Sequence, residues 1–142
     1  MPSTSAVTTT TMVVGQPVDA STLEVGDCFN RYEIDKQAIT AKVPCDGPHQ
    51  REAFAVPNVP TSLGQAWPGG DTLERFGLRL CYEKFEEFVG KIYELSDLAI
   101  GIITPPRSRW EATKPSARRY TCFVQQDEGH EPLVGSMRGT AI

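Results

Sequence analysis

The sequence predicts an α+β domain in which a small antiparallel sheet packs against one main amphipathic helix and two disulfides staple the fold together. Residues 71–90 show the apolar period of a helix. Several short apolar runs are bounded by glycine, proline and aspartate, a pattern typical of strands joined by turns. The four cysteines are widely spaced and form no CxxC pair, which favours disulfides over a zinc site.

Length and composition limit the protein to one modest domain. A chain of 142 residues with a net charge of -4 has no basic stripe interleaved with aromatics, which argues against nucleic-acid binding. The longest apolar run, residues 98–103, is too short to span a bilayer. The chain has no P-loop, GxGxxG or GxSxG motif, so we expect no cofactor, no metal site and no enzymatic activity.

Residues 1–22 are predicted to form a flexible tail or linker, and residues 23–142 the folded domain. The first eleven residues are rich in serine and threonine and cannot bury apolar surface. Residues 12–14 could add a short edge strand. No signal peptide is recognisable, because no basic residue precedes Arg31 and residues 1–30 contain no apolar segment of the required kind.

A β-hairpin is predicted from strands at residues 28–34 and 39–44 joined by a turn at residues 35–37. Antiparallel pairing brings the outer strand ends together, and Cys28 and Cys45 stand at those ends. One bond between these two cysteines would therefore close the open side of the hairpin. A turn at residues 46–48 then leads to a third strand at residues 53–56.

The helix is predicted from residue 71 to residue 90. Asp71 has the chemistry of an N-cap, Glu74 completes a capping box, and Gly90 can adopt the left-handed conformation that ends a helix. Six side chains fall on one broad arc and are expected to face the core: Leu73, Phe76, Leu80, Cys81, Phe85 and Phe88.

Two further strands are predicted at residues 98–104 and 119–125, with a loop around Trp110 between them and a short pairing at residues 133–134. If Cys28 bonds to Cys45, Cys81 remains for Cys122, although four cysteines permit three arrangements. Two disulfides imply an oxidising compartment. Four buried thiols in a cytosolic protein are the alternative.

Several motifs occur in a recognisable order. They are LEVGDCF (residues 23–29), VPCDGPHQREAFAV (residues 43–56), the helix with Cys81, PPRSRW (residues 105–110), RYTC (residues 119–122) and LVGSMRG (residues 133–139). Together they resemble the septum formation family of actinobacteria. The resemblance implies a small extracytoplasmic, envelope-associated domain that is non-catalytic and connected with cell division, usually tethered behind a membrane segment or lipoprotein signal.

His49 and Glu52 are the candidate acid/base residues, since a histidine and a carboxylate near a turn could exchange protons near neutral pH. A hydrolase using this pair is the less favoured function. The alternative is that His49 bonds to turn carbonyls while Glu52 pairs with Arg51 or Lys42.

Three further side chains are candidates for partner binding: Trp67, Trp110 and Arg119. Loop tryptophans can contact sugars or proteins, but they also fold back as lids on small cores. Arg119 could bind an anionic envelope polymer or a carboxylate. We therefore expect an extracytoplasmic binding or scaffolding domain with a protein or cell-envelope partner. An exterior module of a virus or other assembly is the alternative.

Overall fold

A computed structural model describes residues 13–126 and 131–142 of the chain. The strands are β1 (Gln16–Val18), β2 (Cys28–Ile34), β3 (Gln37–Val43), β4 (Pro48–His49), β5 (Arg51–Ala55), β6 (Leu98–Ile103), β7 (Thr121–Gln126) and β8 (Leu133–Val134). The helices are α1 (Gly70–Val89) and the single turn α2 (Arg107–Trp110).

Six of these strands form one antiparallel sheet in the order β1-β3-β2-β5-β7-β6. The short strands β4 and β8 pair separately, which confirms the expected pairing at residues 133–134. The long helix α1 lies against β5, β6 and β7. The predicted α+β architecture is confirmed.

The hairpin of β2 and β3 turns in two residues instead of the predicted three. Asp35 and Lys36 have φ angles of 52° and 66°, the left-handed values that a tight hairpin turn requires. Gln37 already pairs with Ile34, so the second strand begins two residues earlier than its β-branched composition indicated.

Helix α1 begins without the predicted capping box. Gly69 occupies the N-cap position and makes no side-chain cap, whereas Asp71 lies inside the first turn. There its charge still complements the positive end of the helix dipole. The C-terminal prediction is confirmed, since Gly90 is left-handed with φ 90° and its N–H donates to the Glu86 carbonyl.

The buried stripe of α1 contains a residue that the apolar arc did not include. Gly77 is buried, and a Cβ atom there would lie 2.7 Å from the Tyr120 ring. The helix therefore comes close to β6 and to Tyr120 at a position where only a glycine fits. Phe76, predicted to face the core, is displaced to the flank of the helix and is 45% exposed.

Both predicted disulfides are confirmed. Cys28 bonds to Cys45 across the open end of the hairpin, and we call this bond the hairpin disulfide. Cys81 of α1 bonds to Cys122 of β7, and we call this the core disulfide. Both of its cysteines are fully buried among the apolar side chains between helix and sheet. The two bonds together use all four cysteines of the sequence.

Secondary structure is already present before residue 23, in β1 and in a short 3-10 turn at Ala20–Thr22. Residues 1–12, including the start of the expected strand at 12–14, lie outside the described residues, and residues 13–14 are not in a strand. The edge strand is instead β1, which pairs with β3. Val18 and Ala20 pack beside Phe29 and Phe123. Across the described residues, no helix has the length and apolar character needed to cross a membrane.

Candidate ligand-binding site

The sheet has one face that α1 does not cover. Successive strand residues point to opposite faces, so Val124 packs under the helix while Phe123 points to the other side. On this second face Phe29 meets Phe123 edge to face, with ring centroids 5.7 Å apart. Arg31 follows two residues after Phe29 on the same face and stands opposite Thr40 in the hairpin register. A charged side chain thus continues an apolar row.

A cavity of about 640 Å³ opens beside Arg31 and Thr40. Its lining includes residues of β2, β3, β6 and β7 together with residues 18–21, 103–106 and 117–119. This volume falls within the range of small-molecule pockets. The apolar part of the wall is supplied by Val18, Ala20, Ile103 and Pro105.

The charge lining this cavity is predominantly positive. Four arginines reach it, against one aspartate, Asp19. Asp19 is already engaged, because it accepts hydrogen bonds from the Ser21 N–H and hydroxyl and forms an ion pair with Arg109 at 2.5 Å. The two Ser21 hydrogen bonds, and then the Arg109 charge, lower the pKa of Asp19. Asp19 therefore offsets the charge of Arg109, and Glu24 pairs with Arg119 at 3.3 Å.

Two of the arginines, Arg118 and Arg119, make hydrogen bonds to the backbone that forms the wall of the cavity. Arg118 is buried, stacks 3.9 Å over the Trp110 ring and donates two hydrogen bonds to the Trp110 carbonyl. Arg119 donates from Nη2 to the carbonyls of Ser21 and Leu23, at 2.7 and 2.8 Å. These bonds tie the N-terminal segment to β7 and fix the position of both cationic groups.

Arg31 differs from these two arginines because part of its guanidinium has no hydrogen-bond partner among the described residues. Its Nη1 atom is buried and has no hydrogen-bond partner among the described residues. Burial lowers the pKa of Arg31, and burial together with the charge of Arg31 lowers the pKa of Arg51 on the same face. Arg51 stacks 4.7 Å above the Phe123 ring. The cavity thus contains a partly desolvated guanidinium that no described carboxylate balances.

A second, smaller cavity of about 460 Å³ lies beside the C-terminal half of α1. Phe54, Phe88 and Arg138 line it, and the Arg138 guanidinium stacks 4.7 Å over the Phe88 ring. Lys84 and Glu87 supply one charge of each sign at its edge. This cavity therefore has no comparable excess of positive charge.

His49 and Glu52 are both buried, and neither lines either of these cavities. His49 Nδ1 lies 2.9 Å from the Gly47 carbonyl, as the turn interpretation expected. Its Nε2 is buried without a partner among the described residues. The hydrolase hypothesis requires His49 and Glu52 to converge in a cleft, and neither of these two cavities brings them together.

Glu52 does not pair with Arg51 or Lys42, so that expectation is wrong. Its carboxylate accepts hydrogen bonds from the Met137 N–H at 2.7 Å and the Ser136 hydroxyl at 2.6 Å, and Lys42 pairs with Asp27. The carboxylate also lies within 4.8 Å of both sulfurs of the hairpin disulfide. Since those sulfurs are bonded to each other, they are not thiolate ligands for a metal.

Of the remaining candidate binding residues, the two tryptophans pack in or against the core and Arg119 lines the larger cavity. Trp110 is 1% exposed and packs with Leu73 and Tyr120, and Trp67 packs against the same cluster. Their rings form part of the core, as the lid interpretation expected. Of the predicted binding residues, Arg119 alone reaches the larger cavity.

Sequence reasoning missed Arg31, the most distinctive residue of the cavity. The signal available was its position two residues after Phe29 in a predicted strand, where the alternation puts a charge on an apolar face. Asp19 was also missed, because it lies in the segment predicted to be a linker.

Fold and site together define a class: a small α+β domain held by two disulfides, with an arginine-lined cavity on the sheet face opposite its helix. The chain belongs to the septum formation family, whose model matches residues 2–97 and, in an overlapping match, residues 25–141. The resemblance seen in the sequence motifs is confirmed, and it links the protein to septum formation. No curated protein and no solved structure matches the chain.

Proposed function

We propose that this protein is a non-catalytic, extracytoplasmic binding domain of the cell envelope that acts in septum formation by holding a ligand in the larger cavity. The observation that carries the proposal is that cavity itself. It combines a volume suited to a ligand with an arginine that no described residue neutralises. Family membership supports the connection with septation.

The disulfides support a location outside the cytoplasm. Bonds of this kind persist in oxidising compartments and are rare where cellular thiols keep cysteines reduced. Here every cysteine is paired, and one pair is fully buried in the core. Alkylating free thiols in intact cells before extraction, followed by mass mapping of all four cysteines, tests the location. Recovery of four alkylated cysteines would contradict it.

The chemistry of the cavity supports binding over catalysis. The described residues that line it include no histidine and no cysteine, and the one carboxylate is held by Ser21 and Arg109. General acid/base or nucleophilic catalysis needs a group of this kind that is free to react. Arginine, serine and threonine side chains instead provide fixed hydrogen-bond donors for recognition.

The test in cells is complementation. A strain lacking the gene should show a septation defect that the unaltered protein corrects. We expect Arg31→Ala to fail in correcting it, and Arg75→Ala, which removes an exposed arginine from the outer face of α1, to succeed. Septum spacing seen with a membrane dye is the readout, with protein levels compared by immunoblot. Full correction by Arg31→Ala at normal protein levels would contradict the proposal.

A further inference from the structure

The contents of the larger cavity indicate which chemical class of ligand it accepts. Arg31 contributes a guanidinium with an unpartnered buried nitrogen, and Thr40 contributes a hydroxyl directly opposite on the neighbouring strand. Residues paired across strands have Cβ atoms about 5 Å apart, so both groups can reach one oxyanion. Guanidinium binds carboxylate and phosphate through two parallel hydrogen bonds.

The apolar part of the cavity limits the ligand further. Val18, Ala20, Ile103 and Pro105 form a wall that a bare ion would leave in contact with water. Covering such a wall is favourable in proportion to the apolar area removed from solvent. An ion the size of inorganic phosphate would also fill only a small fraction of about 640 Å³.

We propose that the cavity binds an amphiphilic organic anion, with a carboxylate or phosphate group on Arg31 and Thr40 and an aliphatic body along Val18, Ala20, Ile103 and Pro105. The inference rests on the proposed function, since it names the ligand class of the same site. Arg31 is the residue that binds the charged group. Arg119 lies further along the wall, where its Nη2 is already bonded to the Ser21 and Leu23 carbonyls and paired with the Glu24 carboxylate.

An unliganded site of this kind has a stability signature that a structural arginine would not have. A partly desolvated cation without a counter-ion destabilises the fold until an anion binds to it. We therefore expect Arg31→Met to raise the thermal unfolding midpoint of the ligand-free protein while weakening anion binding. A structural arginine would show a lower midpoint on replacement. A ligand-binding arginine and a structural arginine thus predict shifts of the unfolding midpoint in opposite directions. A misfolded variant would lower the midpoint, so it cannot imitate the expected rise.

Octanoate and octyl phosphate are suitable probes, with octanol and octyltrimethylammonium as neutral and cationic counterparts. We expect both anions to bind, and the neutral and cationic probes to bind at least about tenfold more weakly, since a charge-assisted hydrogen bond contributes at least this factor. Acetate and inorganic phosphate should also bind about tenfold or more weakly than the octyl anions, because they leave the apolar wall uncovered. Calorimetric titration of the full chain measures each affinity.

Variants locate the site. Arg31→Met should reduce octyl anion affinity about tenfold or more, Arg31→Lys should recover part of it through charge alone, and Arg75→Ala should leave it unchanged. The ratio of octanoate to octyl phosphate affinity identifies the preferred head group. Equal binding of octanol and octanoate, or undiminished anion binding by Arg31→Met, would overturn the ligand class. If Arg31→Ala nevertheless fails complementation, the proposed function survives and the ligand class alone is wrong.

Discussion

Replacing Glu52 with alanine should lower the free energy of unfolding by about 3 kcal/mol. The Glu52 carboxylate is fully buried and accepts the Met137 N–H, itself buried, and the Ser136 hydroxyl. Leaving a buried N–H unpaired costs roughly 1–3 kcal/mol, and losing the hydroxyl bond adds about 1 kcal/mol because Ser136 can turn to water. Relief of the buried charge offsets part of this cost.

Glutamine at the same position is the matched control. Its amide oxygen can still accept the Met137 N–H, and its NH₂ group can donate to the Ser136 hydroxyl oxygen. We therefore expect Glu52→Gln to cost about 1 kcal/mol, near the value of one neutral hydrogen bond. Urea unfolding at pH 7 gives both values if the slope of the transition is unchanged.

Hydrogen exchange identifies where the effect acts. The Met137 amide should exchange faster in Glu52→Ala than in the parent by more than global destabilisation explains, since its acceptor is gone. Ser136→Ala removes the hydroxyl that donates to Glu52 and accepts the exposed Arg138 N–H, and it should lower stability by about 1 kcal/mol. The reasoning fails if the alanine and glutamine variants are equally stable, or if the Met137 amide keeps its protection in Glu52→Ala.

Three further predictions concern the disulfides, a buried tyrosine and the hairpin turn. Mild reductant should open the hairpin disulfide before the core disulfide, because Cys45 is partly exposed while both core cysteines are buried. Alkylation at timed intervals followed by mass mapping measures the order, and equally fast opening of the core disulfide would contradict the prediction. Burial raises the pKa of Tyr120 to about 12, so the folded state retains a proton that the unfolded state loses above pH 10. The free energy of unfolding should therefore fall by on the order of 1.4 kcal/mol per pH unit between pH 10 and 12, relative to Tyr120→Phe. Urea midpoints that change equally with pH in the two proteins would count against this prediction. Lys36→Gly should raise stability by about 0.5 kcal/mol by relieving a left-handed lysine; a lower melting temperature would show that the turn is unstrained.

The features that could be predicted from the sequence depend on neighbours along the chain. The pairing of Cys28 with Cys45 follows from two adjacent strands, and the glycine that ends α1 follows from a local conformational need. The helix start was misplaced because Gly69 and Gly70 precede Asp71, and a glycine N-cap has no side chain to signal it. Periodicity alone reveals neither the exposure of Phe76 nor the close approach at Gly77.

The candidate site was harder to predict because its parts lie far apart in the sequence. Arg119 of the predicted set does reach the cavity, but it lies there beside segments 18–21 and 103–106, which the strand pattern alone does not bring together. Trp110 is a loop aromatic in sequence, yet its ring is buried beside Leu73 and Tyr120 in the core. Only the sheet order, which sets β2 and β7 on either side of β5, explains how Arg31 and Thr121 share one cavity.

The two covalent bonds also determine how far this domain could extend under tension. The hairpin disulfide encloses a sequence separation of 17 residues and the core disulfide one of 41. At the full reach of an extended chain these segments represent roughly 60 and 140 Å of length that pulling at the ends cannot release. Under load, the intact protein would therefore lengthen mainly through the segment between residues 45 and 81 and its terminal regions. Under tension the domain would thus keep its hairpin and its helix-to-strand bond, while β5 and the first half of α1 lie in the part of the chain that can be drawn out.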